Sequence, residues 1–297
     1  SIQSSDKSTK YNIGITEPFF QDTPLALSGD IFDQEKEVGD KDIEKQGFDI
    51  GFGFNYYDYR NRFGYKYVSS KTTTDDTFTG TSISGEEGIE IETSLLNYSL
   101  SSNDTDSFLN PTEGVKKSLK MSMAGLGGDS KFLKTEASFK QYIPFNYGDY
   151  IFSYGTKLGA ISSIDDEKIT SSNRFYFNSN SVRGFDTNGI GPRDNGNDNG
   201  VGGNNFYSGQ IEVKSRKLIP GDLGIDISIF SDIGSLWDTD YPTNVKGVND
   251  SSPRASAGVA IYWNTVVGPL SFIWGWPISE ENYDKDNNFK FSIGTSF

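Results

Sequence analysis

Phe48-Asp49-Ile50-Gly51-Phe52-Gly53-Phe54-Asn55-Tyr56 alternates without a break: each even position is large and apolar or aromatic, and each odd one is Asp, Gly or Asn. A period of two is the mark of an extended strand, whose successive side chains point to opposite faces. The pattern returns on both sides of this stretch. Over 206–216, Phe206, Ser208, Gln210, Glu212, Lys214 and Arg216 alternate with Tyr207, Gly209, Ile211, Val213 and Ser215. Lys134, Glu136, Ser138 and Lys140 alternate with Leu133, Thr135, Ala137 and Phe139, and 255–263 and 289–297 behave alike. Helical periodicity is almost absent. Fourteen segments carry the pattern, at about 8–17, 24–37, 44–57, 62–71, 87–101, 115–125, 131–143, 149–162, 173–178, 205–216, 223–236, 253–264, 267–277 and 289–297. Very short connectors (144–148, 264–266) alternate with long polar ones (72–86, 180–204, 237–252), as in an up-and-down barrel with short turns on one rim and long loops on the other.

A soluble sandwich also alternates, so the faces must decide. In a sandwich the apolar face is buried; in an outer-membrane barrel it meets lipid, the polar face lines a wet lumen, and aromatics collect at the strand ends. Here Tyr56, Tyr57, Tyr59, Tyr142, Phe145, Tyr147, Tyr150, Trp237, Trp263, Trp274 and Trp276 sit near segment ends, where an amphipathic ring suits the headgroup zone. The polar parity is rich in Gly and small residues, and Phe297 closes a strand with aromatics at alternate positions. These features predict an all-β, antiparallel transmembrane barrel.

Composition narrows the chemistry. The 297 residues contain no His and no Cys, which removes Ser-His and Cys-His pairs, Cys/His zinc sites and thiol redox centres. A formal net charge of -14 opposes binding to nucleic-acid phosphates. Only 34% of residues are hydrophobic although 14% are aromatic, and no apolar run reaches the length of a membrane-spanning helix. The N-terminal residues lack the basic and apolar regions of a signal peptide.

One connector is not generic. It reads Ser181-Val182-Arg183-Gly184-Phe185-Asp186, then Gly189-Ile190-Gly191-Pro192-Arg193-Asp194. Around it, in order, stand Gly125-Leu126-Gly127-Gly128-Asp129, Gly202-Gly203-Asn204 before a strand carrying Glu212, Phe230-Ser231-Asp232-Ile233-Gly234-Ser235-Leu236-Trp237, Gly268-Pro269-Leu270, and the terminal Phe289 to Phe297. This ordered set resembles the outer-membrane assembly and two-partner secretion transporter superfamily, whose hallmark is Val-Arg-Gly-Phe/Tyr in a loop folded into the barrel. The resemblance covers essentially the whole chain and leans toward the assembly branch.

It implies a sixteen-stranded barrel in a Gram-negative outer membrane, of which about fourteen strands, the third to the last, are expected within a single domain, 1–297. The first two strands and the periplasmic polypeptide-transport-associated (POTRA) domains are expected to be absent, and 180–204 is expected to fold into the lumen. Parity places Glu212 with Gln210 and Lys214, and Asp232 with Asp226 and Ser228, on the polar lumenal face. The resemblance then implies that Val182, Arg183, Gly184 and Phe185 lock the loop against Glu212 and Asp232, the planar guanidinium engaging a carboxylate bidentately. It further implies a seam beside the terminal strand, at Phe289, Phe291, Ile293, Gly294 and Phe297.

The function implied is folding and inserting β-barrel proteins into the outer membrane by strand templating at that seam. The partners implied are nascent outer-membrane β-barrel proteins, accessory outer-membrane lipoproteins, lipopolysaccharide and phospholipid. No catalytic residue, cofactor, metal or nucleic acid is expected. The alternative is a two-partner secretion transporter exporting an unfolded polypeptide; a soluble glycan-binding sandwich is a more distant third. Phe177-Asn178-Ser179-Asn180 departs from the family's Gly-rich run before the arginine motif and predicts a different turn there. The Asp194-to-Gly200 run lacks calcium-loop spacing and reads as a polar loop. Glu86 and Glu87 form a carboxylate pair with no cleft organised around them, and Trp274 and Trp276 read as lipid anchors.

Overall fold

Alternating residues satisfy their backbone groups by pairing with sequence neighbours, and the computed structural model shows a continuous meander built this way. It describes residues 2–5, 8–37, 41–74, 86–108, 110–219, 223–240, 243–265 and 268–294. The strands are β1 (Ile2–Ser5), β2 (Ser8–Glu17), β3 (Leu25–Glu37), β4 (Lys41–Tyr56), β5 (Tyr59–Thr74), β6 (Glu90–Asn103), β7 (Gly114–Gly128), β8 (Phe132–Phe145), β9 (Tyr150–Ser163), β10 (Arg193–Asp194), β11 (Asn205–Ser215), β12 (Ile225–Trp237), β13 (Val245–Lys246), β14 (Arg254–Thr265), β15 (Gly268–Ser279) and β16 (Phe289–Ile293). All but β10 and β13 form one antiparallel sheet of 14 strands in sequence order; those two pair with each other. Among the described residues β16 pairs only with β15 and β1 only with β2, so the wall is a barrel arc with no closing ladder.

The two faces are inverted relative to a soluble protein. Along β12, Ile229 (61% exposed) and Ile233 point outward, whereas Asp226, Ser228, Phe230 and Asp232 are buried on the other face. Ile13, Ile15, Ile31, Ile50, Phe52, Leu158, Ile211 and Trp276 extend the exposed apolar belt. Exposing isoleucine while burying aspartate is stable only where lipid covers the outside. Cross-strand ring pairs reinforce the belt: Phe52 lies 5.4 Å from Phe63, and Phe272 lies 5.0 Å from Phe291.

Antiparallel order puts connectors 164–204 and 280–288 on one rim, and the turns 57–58 and 146–149 on the other. Two segment expectations need correction. Residues 173–178 make no sheet strand, since Phe175 forms only an isolated bridge with Gly203 while Phe175 and Phe177 are buried. Their alternation serves packing of the long connector onto the wall. The fourteenth strand is instead Ile2–Ser5, so 8–17 is second in the sheet. The ladder of the last strand stops at Ile293, and Phe297 lies outside the described residues.

The buried apolar core lies not between two sheets but between the inner face and the connector 164–204. Ile169, Phe175, Phe177, Val182, Phe185 and Ile190 of the connector pack with Ala124, Phe132, Ile161 and Leu236 of the wall. The inward-packed segment therefore starts well before residue 180.

Candidate functional site: the docked internal loop

β11 and β12 lie side by side, with Gln210 opposite Asp232 and Glu212 opposite Phe230, so both carboxylates share one patch of the inner face. Arg183 descends onto that patch. Its Nε donates to Asp232 Oδ2 at 2.8 Å and its Nη2 to Asp232 Oδ1 at 2.7 Å, the two-pronged geometry lysine cannot reproduce. Its Nη1 donates to Glu212 Oε2 at 2.5 Å, and its own backbone N–H donates to Asp232 Oδ2 at 2.9 Å. The guanidinium carbon stands 3.6 Å from the centroid of the Phe230 ring, giving the cation an aromatic floor. Asp232 is fully buried at its side chain, and Arg183 and Glu212 are nearly so. Burial by itself pushes the guanidinium pKa down; the hydrogen bonds to Asp232 and the charges of Asp232 and Glu212 outweigh it and raise the value above that of free arginine.

The motif's other residues fix the backbone. Val182 and Phe185 are buried in the apolar cluster beside Leu236. Gly184 has φ +98, and a Cβ there would stand 3.1 Å from the Gly275 carbonyl carbon and 3.3 Å from Ser256 Cβ. Glycine is needed for both the conformation and the approach. The terminal-strand residues stand apart from this patch: Phe289, Phe291 and Ile293 are exposed outward, and Gly294 follows the ladder at φ +145. Asn178 to Ser181 form their own turn, with Asn178 Oδ1 accepting from the backbone N–H of Asn180 at 2.9 Å and Ser181 N–H donating to Asn178 O at 2.9 Å.

Several docking residues escaped the sequence reading. On β15, a Cβ at Gly275 would lie 2.8 Å from Gly184 N, so loop and strand touch backbone to backbone. Its signal was a glycine on the inward parity between Trp274 and Trp276. Glu86, seen only as half of a carboxylate pair, is buried; its Oε2 accepts from Ser171 N–H at 2.9 Å and Ser171 Oγ at 2.7 Å, and its Oε1 lies 3.5 Å from Arg174 Nη2. Lys45 and Lys134 donate to the carbonyls of Ser172 (2.7 Å) and Asn173 (2.8 Å). These contacts join residues 39 to 127 positions apart, which no local pattern reveals.

The polar run 194–200 is also packed rather than free. Arg193 and Asp194 are buried, pair with β13, and Arg193 donates to Asp198 O and Asn188 O. Asp198 bridges Lys246 (2.6 Å) and Lys285 (3.2 Å), knitting the loop to the two following connectors. Close by, the buried Arg254 is held by Asp284 at 2.9 Å and Asp250 at 3.1 Å.

An antiparallel wall with an exposed apolar belt, a buried polar inner face and an arginine-clamped loop inside it defines an outer-membrane β-barrel with a docked internal segment. The chain belongs to the Omp85 superfamily, whose domain model matches residues 1–297. It is 31% identical over 204 residues to the outer membrane protein assembly factor BamA of Neorickettsia risticii, covering 69% of this chain and 27% of that protein. It is 24% identical over 299 residues to the same-named factor of Nitratidesulfovibrio vulgaris, covering 99% of this chain and 37% of that protein. The fold matches the crystal structure of BamA from Haemophilus ducreyi lacking POTRA domains 1-3 with a TM-score of 0.85 at 22% identity, over 98% of this chain and 62% of that one. The chain therefore spans between a quarter and two-fifths of the length of these two curated relatives. It is an integral β-barrel of the Gram-negative outer membrane, in the family of outer-membrane protein assembly factors.

Proposed function

We propose that this barrel is the membrane-embedded working part of an outer-membrane protein assembly factor, which folds and inserts other β-barrels without a catalytic residue or cofactor. The observation that supports it most directly is the terminal strand. Among the described residues the ladder of β16 runs over Phe289–Ile293 and pairs with β15 on one side. Unpaired backbone groups are costly in lipid. An incoming strand that pairs with this edge relieves that cost, so templating by strand addition lowers the barrier to insertion.

Nascent outer-membrane β-barrel proteins are then the clients. Accessory outer-membrane lipoproteins are partners, and lipopolysaccharide and phospholipid form the surroundings. Export of an unfolded polypeptide through the lumen is the lesser reading, because the curated relatives that support the proposal are assembly factors. The test is the folding of a small outer-membrane barrel into phosphatidylcholine vesicles, with and without the full-length protein, followed by the mobility shift between unboiled and boiled samples. Faster folding with the protein supports the reading; an unchanged rate overturns it.

A further inference from the structure

The docked loop does not stop at Glu212 and Asp232. It crosses the inner face of the last strands, and its backbone pairs with connector 280–288: Asp186 N–H donates to Lys285 O (3.0 Å), Lys285 N–H to Gly189 O (2.9 Å) and Asn287 N–H to Gly184 O (2.9 Å). That connector leads directly into β16. On β16 the outward residues Phe289 and Phe291 pack against Trp274 and Phe272 of β15. Two residues point inward. Ser292 Oγ is 3.0 Å from Ser271 Oγ, and Lys290 reaches past its neighbouring strand to the loop, where its Nζ donates to Ser179 Oγ at 2.7 Å and to Asn180 Oδ1 at 2.8 Å. The acceptors lie in the Asn178-Ser179-Asn180 turn, held in place because Gln210 Nε2 donates to Asn180 O at 2.8 Å.

We infer that Lys290 is a positioning residue that couples the arginine-docked loop to the terminal strand, so that release of the loop and loosening of the β16 edge are one event. The physical reason is leverage. Among the described residues of β16, Ser292 holds the inner face to β15 and Lys290 holds it to the loop, and a cation bonded to two loop oxygens makes the order of the strand depend on the loop being down. The coupling gains its functional meaning from the seam reading above and rests on it.

Hydrogen–deuterium exchange of the full-length protein in lipid nanodiscs, read at the amides of 289–293, tests the coupling. Lys290→Met is expected to speed exchange there about tenfold, and the loop-side pair Ser179→Ala with Asn180→Ala should do the same without touching β16. Arg183→Ala, which alters no residue of β16, should also speed it, and adding Lys290→Met to Arg183→Ala should bring no further increase. Lys290→Arg, which keeps a donor, should stay near wild type. Unchanged exchange in Lys290→Met and in the loop-side pair, or independent multiplying effects of Lys290→Met and Arg183→Ala, overturns the coupling. The vesicle-folding assay on the unmodified protein is separate: failure there removes the seam reading while the exchange result still stands or falls alone.

Discussion

Removing the Arg183 guanidinium leaves the fully buried Asp232 and the nearly buried Glu212 as two uncompensated carboxylates. Breaking one side of a buried ion pair typically costs about 3–5 kcal/mol. Arg183→Ala is accordingly expected to lower the temperature at which unboiled protein loses its compact mobility in SDS gels, and Arg183→Lys should recover only part of the loss because the two-pronged contact is gone. A second residue-scale prediction concerns acid. Burial opposes ionisation of Asp250, but hydrogen bonds from Ser252 and Tyr283 and the charge of Arg254 outweigh it, holding the carboxyl at about 2 against an ordinary 3.8. A depressed carboxylate contributes stability that is full above 3.8 and is lost as pH falls toward 2. Thermal unfolding followed between pH 5 and pH 2 should show that loss, and Asp250→Asn should be less stable at pH 5 and flatter across the range. Arg183 was legible at this scale because its motif is contiguous; Asp250 was not, since Arg254, four residues on, belongs to no motif and Tyr283 reaches Asp250 only from another connector.

β12 shows most plainly what one element contributes. Its outward isoleucines face lipid, so Ile229→Arg is expected to destabilise the inserted barrel by about 2–4 kcal/mol if it sits near the bilayer midplane. Equilibrium unfolding from vesicles measures it, and a cost near zero would place this face in water. On β15 the inward Gly275 meets the loop backbone, and Gly275→Ala forces a 2.8 Å contact with Gly184 N. Overpacking of this kind costs about 1–3 kcal/mol. Increased protease cleavage within 178–190 of the intact protein should accompany it. The outward side of these strands was readable from parity alone. The inward glycine was visible as a glycine, but its role was not, because the approaching chain comes from 91 residues earlier.

At the scale of the whole molecule, the core that stabilises the fold lies between wall and loop, so a chain with 34% hydrophobic residues needs no second sheet. The 164–204 connector is pinned at its start by Glu86 and Arg174 and at its motif by Arg183. Glu86→Gln is expected to lower the unfolding temperature in detergent without changing the far-UV β signature; an unchanged temperature would remove Glu86 from the set of anchors. The sequence by itself determined the strand period, the inverted faces, the alternation of short and long connectors and the identity of the arginine and its two carboxylates. Each of these is written in local order, in two-residue parity or in a contiguous motif. Only the tertiary structure decided that 173–178 packs as loop rather than strand, that Ile2–Ser5 joins the sheet, and that Glu86, Gly275 and Lys290 meet the internal loop. Those outcomes depend on which distant surfaces the closing arc brings within a few ångströms, and period-two alternation is the same whether a residue faces lipid, lumen or loop.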